Sequence, residues 1–144
     1  IIGPTVRAGE TYALDRDMTE PNALAYWLGD DRETFVAEAD GAIVGTYYVR
    51  ANNAGGGRYV CNCGYMTSAA ATGRGVARAM CLHSLDHARG QGFRAMQFNF
   101  VVSTNTRAVA LWQSLAFAIV GRLPLAFRHP VHGFVDALVM YRSL

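Results

Sequence analysis

The residues best placed to do chemistry lie in one stretch, Cys63 to Gly90, CGYMTSAAATGRGVARAMCLHSLDHARG. Tyr59 to Thr67 reads as a strand, a small-residue turn with Gly73, Arg74 and Gly75 follows, and a helix runs from about Gly75 to Arg89. A strand, a glycine turn and a helix N-terminus together form an anion site, because free backbone N–H groups and the positive end of the helix dipole converge on one spot. A phosphorylated ligand is therefore expected there. The glycines let the backbone wrap an oxyanion with torsions and a closeness that a Cβ would obstruct. Arg74 and Arg78 add fixed positive charge beside the turn.

Spacing chooses among the motifs that share this logic. A P-loop ends in Gly-Lys-Ser/Thr, whereas Gly75 is followed by Val76 and Ala77. A dinucleotide fingerprint needs a third glycine, and Arg78 stands at the next position in phase. What remains resembles the acyl-CoA-binding motif of the GNAT superfamily of N-acetyltransferases, Gln/Arg-x-x-Gly-x-Gly/Ala, which falls on Thr72, Gly75 and Ala77. The chain departs from the usual pattern in having Thr72 for Arg or Gln, Ala69 for Pro and Ala77 for Gly. A second signature follows at unbroken spacing: Asn105-x-x-Ala108-x-x-Leu111-Trp112-x-x-x-Ala116-Phe117 resembles Asn-x-x-Ala-x-x-Leu-Tyr-x-x-x-Gly-Phe. The resemblance runs from about Phe35 to the end of the chain. Upstream, Gly9-Glu10-Thr11-Tyr12 resembles the small-molecule branch that includes phosphinothricin acetyltransferase.

The resemblance implies an α+β fold of α/β/α sandwich type, with a mixed, mostly antiparallel central sheet and helices on both faces. In the family a strand and most of a helix precede Ile1, so it also implies a missing first strand and an uncovered sheet edge. It implies acetyl-CoA as cosubstrate and no metal. The residues expected to hold acetyl-CoA are Met66, Thr67, Thr72, Gly73, Arg74, Gly75, Val76, Ala77, Arg78, Asn105, Ala108 and Trp112. A bulge in the strand before the glycine turn would part it from the next strand, free N–H groups near Tyr65, Met66 and Thr67, and admit the pantetheine arm. Asn105 is placed by resemblance on that arm, with helix capping as the alternative, and Ala108 is small enough to let the arm pass.

Thioester aminolysis sets the remaining requirements. Backbone donors must face the carbonyl oxygen, a task assigned to Met66 and Thr67. An amine with a pKa of about 10 must lose a proton before it can attack. Candidate bases are Glu10, Tyr47, Asn62 through a water, and His129, with Glu10 carried forward as catalytic; a solvated loop charge is its other reading. Trp112 stands where many relatives carry an acidic tyrosine, which leaves proton delivery to sulfur without an assigned donor. The expected reaction moves an acetyl group to a small amine or amino-acid-like acceptor by direct attack in a ternary complex. A non-catalytic acyl-CoA-binding module and a protein acetyltransferase are the alternatives.

The elements around this stretch suit one domain of 144 residues, 51% hydrophobic, with net charge +2. All thirteen basic residues are arginines and are scattered, which gives no nucleic-acid groove and no membrane-binding face. No signal-peptide pattern and no bilayer-spanning run is present, so a cytoplasmic protein is expected. Cys61 and Cys63 share one side of a strand, a poor geometry for a disulfide, and His83 with His87 read as solvent-facing. Ile1 to Gly9 reads as a helix tail, and Thr19 to Leu28 as a helix with Thr19 as cap and Pro21 in the first turn. Phe35 to Ala39 and Ile43 to Val49 form a hairpin through Asp40-Gly41, followed by a flexible loop, Ala51 to Gly57. Ala95 to Val102 alternates Met96, Phe98, Phe100 and Val102 on one face, and Ser103 or Thr104 caps the next helix. Strands Phe117 to Leu125 and Phe134 to Tyr141 then flank a loop with His129, Pro130 and His132. The uncovered edge and these apolar strands suggest a homodimer.

Overall fold

The computed structural model describes residues 1–144. Helices α1 (Ile2–Ala8) and α2 (Glu20–Trp27) precede strands β1 (Arg32–Ala39), β2 (Ala42–Ala51) and β3 (Val60–Thr67). Helix α3 (Val76–Gly90), β4 (Ala95–Val102), α4 (Thr106–Ser114), β5 (Ala118–His129) and β6 (Gly133–Ser143) complete the chain. The strands form one sheet in the order β1-β2-β3-β4-β6-β5, antiparallel except where β3 meets β4. No helix is long and apolar enough to cross a membrane.

Local chemistry accounts for most element ends. Asp40 and Gly41 both take positive φ, 53° and 75°, the torsions a tight β1–β2 hairpin needs. Thr19 caps α2 by accepting from the Asn22 N–H, and Pro21 sits in the first turn, where its missing donor costs nothing. In α3 the buried residues Met80, Cys81, Ser84, Leu85 and Ala88 recur at helical spacing and lie against β2 and β3. The main core fills the face under α3 and α4, with Tyr47, Cys61, Cys63, Met96, Phe98, Trp112 and Met140 among its members. A smaller cluster of Val6, Trp27, Tyr48 and Met66 fills the opposite face under α1 and α2.

Several expectations are corrected. The β2–β3 register runs unbroken from Gly45↔Thr67 to Ala51↔Cys61, so β3 carries no bulge; the extra residue lies in β4, between Phe98 and Val101. That insertion breaks the expected alternation, so Val101 joins Phe98 in the main core while Phe100 packs on Phe127. The cap of α4 is Asn105, whose Oδ1 accepts the Ala108 N–H at 3.3 Å, and not Ser103 or Thr104. Ala51 belongs to β2, and Gly55–Gly57 form a 3-10 turn within the loop. Strand β5 extends to His129, leaving a tight hairpin where a longer loop was expected. His83 is exposed as expected, although its Nδ1 meets the Tyr47 hydroxyl at 2.7 Å, whereas His87 is half-buried with its Nε2 3.2 Å from Glu33.

Candidate active site

The sheet's one parallel junction makes the site. β3 and β4 pair only at Val60↔Ala95 and Cys61↔Met96, then part, so both strands run on toward the glycine turn with a wedge between them. Hydrogen bonds fix which groups face it. Asn52 N–H donates to the Val60 carbonyl and Ser68 N–H to the Val44 carbonyl, both at 2.8 Å, so the even-numbered residues of β3 turn their backbone toward β2. The odd-numbered residues Cys63, Tyr65 and Thr67 therefore present N–H and C=O to the wedge. Asn62 Nδ2 spans its narrow end, donating to the Gln97 carbonyl at 2.9 Å.

At the wide end stands the anion cradle. Gly75 is the cap residue of α3 at φ 79° and offers no side-chain cap, and the first intrahelical donor is Ala79 to the Gly75 carbonyl. The N–H groups of Val76, Ala77 and Arg78 are thus left open by helix geometry, and those of Gly73 and Gly75 have no partner either. Thr72 and Arg74 N–H are already used, on the Ala69 and Ala71 carbonyls at 3.4 and 3.3 Å. A Cβ built on Gly75 meets nothing within 4 Å, which leaves the approach to these donors clear. Arg78 reaches Ser114 of α4 at 2.8 Å, and Arg74 pairs loosely with Asp40 at 3.6 Å. Arg107, not singled out from the sequence, lines the cradle beside Gly73. Its signal was available: it lies inside the Asn105 signature, two residues past the cap.

Wedge and cradle belong to one cavity of about 710 Å³. Of the expected acetyl-CoA residues, Met66, Thr67, Thr72, Gly73, Gly75, Val76, Ala77, Arg78, Asn105, Ala108 and Trp112 line it, and Arg74 does not. Met66 turns its backbone to β2 and its side chain into the cluster with Trp27 and Tyr48, so the wedge-facing donors here are those of Thr67 and Tyr65. Trp112 forms an aromatic floor with Tyr65 and Phe98, ring centroids 5.1 Å from each. The Tyr65 hydroxyl is engaged with Ser84 at 2.6 Å, and burial pushes its pKa well above the ordinary tyrosine value.

The far end of the cavity is walled by Thr11, Tyr12, Tyr26, Tyr48, Arg50 and Asn62. Glu10 is exposed and does not line it. The reason is local: Gly9 ends α1 in the left-handed conformation and Arg16 Nε holds the Arg7 carbonyl at 2.9 Å, which turns Thr11 and Tyr12 inward. Tyr47 and His129 lie elsewhere, Tyr47 under α3 and His129 in the β5–β6 hairpin, where its Nδ1 accepts the N–H groups of Val131 and His132. No Asp, Glu, His or Lys lines the cavity. Arg50 is held by Asp31 at 3.2 Å with its Nε buried and unpartnered, and the adjoining Arg32 stacks over Tyr48 at 4.6 Å.

Comparison with known proteins converges on the same reading. Residues 7–117 match the Acetyltransferase (GNAT) family. A GCN5-related N-acetyltransferase from Kribbella flavida is 46% identical and superposes with a TM-score of 0.92, covering 99% of this chain and 87% of that one. N-acetyltransferase aca1 from Schizosaccharomyces pombe is 26% identical over 93% of this chain and 72% of its own length. A phosphinothricin acetyltransferase from Sinorhizobium meliloti, solved in complex with AcCoA, shares the fold at 21% identity and a TM-score of 0.83, covering 98% of this chain and 78% of that one. With a parted sheet, a bare helix terminus and two spaced signatures all present, the chain belongs to the GNAT acetyltransferase family and is an acetyl-CoA-dependent acyltransferase.

Proposed function

We propose that this enzyme acetylates the amine of a small molecule or amino-acid-like acceptor by direct attack in a ternary complex. The observation that carries the reading is the single cavity joining the cradle, the open edge of β3 and the Tyr26, Tyr48 and Arg50 wall. The N–H groups of Gly73 and of Gly75 to Arg78 would hold the diphosphate of acetyl-CoA, and the β3 edge would pair with its amide arm. The cosubstrate supplies an activated acetyl thioester. Thr67 or Tyr65 N–H faces the carbonyl oxygen, where negative charge grows as nitrogen attacks. The C–N bond forms, the C–S bond breaks, and the sulfur leaves as a thiolate, which a thiol pKa near ~8.5 permits.

Cys63 is the one cavity-lining thiol, and burial pushes its pKa well above the ordinary cysteine value. It is therefore a poor nucleophile, which favours direct transfer over an acyl-enzyme. With no carboxylate or imidazole in the cavity, the ammonium proton goes to water, for which the Asn62 amide is a holding point. The missing acidic lining also disfavours a lysine-rich peptide groove, so a protein acceptor fits less well. Exposed Ile119, Val120, Leu123, Leu125 and Phe134 on β5 and β6 support a homodimer through that edge, and three buried, free cysteines suit a reducing cytoplasm. Thiol release from acetyl-CoA over a panel of small amines, amino acids and lysine peptides tests the function. Turnover with a small amine is expected; turnover with peptides alone would refute the reading.

A further inference from the structure

Tyr12 has a position that acetyl transfer itself does not explain. It enters the cavity from the segment joining α1 and α2, and its hydroxyl donates to the Tyr65 carbonyl at 2.8 Å. That carbonyl faces the wedge, so Tyr12 closes the strand edge at Tyr65. Thr67, two residues or about 7 Å nearer the glycine turn, stays open. The tyrosine ring is also fixed from behind. It stands edge-on to Trp27 with centroids 6.0 Å apart, and Trp27 is 1% exposed, its indole N–H donating to Thr46 Oγ1 at 2.9 Å. Thr46 in turn donates to the Phe35 carbonyl at 2.8 Å. Burial pushes the Tyr12 phenol well above its ordinary value, so the hydroxyl remains a donor at physiological pH and keeps this bond.

We propose that Tyr12 determines acyl-donor specificity: it stands across the wedge as a stop that admits an acetyl group and rejects longer acyl chains. The assignment rests on reading the wedge as the acyl-CoA site. With the diphosphate fixed at the cradle and the arm laid along β3, the acyl end travels toward the narrow end of the wedge, and Tyr12 sets the depth it can reach. Beyond it lie Tyr26, Tyr48 and Asn62, so removing the ring opens space in the line of the acyl chain.

The test uses the full chain with Tyr12→Ala, Tyr12→Leu and Tyr12→Phe. Calorimetry gives Kd for CoA, acetyl-CoA and butyryl-CoA, and kcat/KM is measured for both acyl donors with one accepted amine. The wild type is expected to prefer acetyl-CoA by at least about tenfold, since methylenes at a closed wall discriminate on that scale. Tyr12→Ala should raise the butyryl-to-acetyl ratio about tenfold or more with the CoA Kd unchanged. Tyr12→Leu, which keeps an apolar contact with Trp27, should give a smaller rise and serves if the alanine variant does not fold. Tyr12→Phe keeps the ring and should keep the ratio. An unchanged ratio in a folded Ala or Leu variant that binds CoA overturns the Tyr12 assignment alone. A wild-type chain without affinity for CoA overturns the reading of the wedge, and this assignment with it.

Discussion

A methyl group at Gly75 separates a phosphate cradle from an ordinary strand-to-helix turn. Gly75 has φ 79° and no atom within 4 Å of a built Cβ, and Gly92, in the turn after α3, has φ 86° and the same empty surroundings. Alanine at either position pays the same left-handed torsion, about 1–2 kcal/mol of folding stability. Only Gly75 adjoins the open N–H groups of α3, and a Cβ there occupies the approach a phosphate oxygen needs. Losing one charge-assisted hydrogen bond, about 1.5–3 kcal/mol, weakens CoA binding by about 10- to 150-fold. Urea unfolding should therefore show similar midpoint losses for Gly75→Ala and Gly92→Ala, while calorimetry with CoA shows a raised Kd for Gly75→Ala alone. Equal Kd values for the two folded variants would refute the cradle, since torsional strain would then be all that Gly75 relieves.

Other outcomes follow from the same geometry. Because no cavity side chain can titrate as a base near neutrality, log kcat/KM for the amine should climb about one unit per pH unit from pH 6 to 8, tracking the free amine; a plateau set by a group of the enzyme in that range would contradict this. Gly64→Ala places a Cβ 2.7 Å from the Tyr48 ring, so acceptor KM should rise several-fold with CoA Kd unchanged, read by steady-state kinetics and calorimetry. Asp31 has its pKa lowered, first by its hydrogen bond to Arg32, so the stability it contributes is present above the ordinary carboxylate range and is lost as pH falls through the lowered value. Thermal unfolding of Asp31→Asn should accordingly show less loss than wild type between pH 4 and 2, by about 0.5 kcal/mol because the carboxylate itself is 55% exposed.

Much of the fold was legible because the decisive signals are local. Asp40-Gly41, Thr19 with Pro21, and the buried spacing Met80, Cys81, Leu85 and Ala88 each specify an element through their own torsions or periodicity. The cradle was readable for the same reason. The cause of the wedge was not: the extra residue in β4 leaves Met96, Phe98 and Phe100 alternating in sequence while only the first two share a face. A bulge changes register without changing residue types. The acceptor wall escaped likewise, because whether Glu10 or Tyr12 points inward depends on Gly9 and on Arg16 binding Arg7, contacts that no periodic pattern encodes. The lack of any acidic side chain in the cavity emerges only when distant segments are brought together.

The two paired positions where β3 meets β4, with the Arg94 N–H on the Tyr59 carbonyl, are the main-chain stitching between two three-stranded ribbons. Each ribbon is paired along most of its length, register shifts apart, whereas the seam is paired at two positions only. A molecule laid along that seam mends the sheet, so saturation by acetyl-CoA should slow amide exchange in β3 and β4 far from any reacting atom and raise the unfolding temperature with ligand concentration. For this chain, the metabolite it consumes would also be part of what holds its halves together.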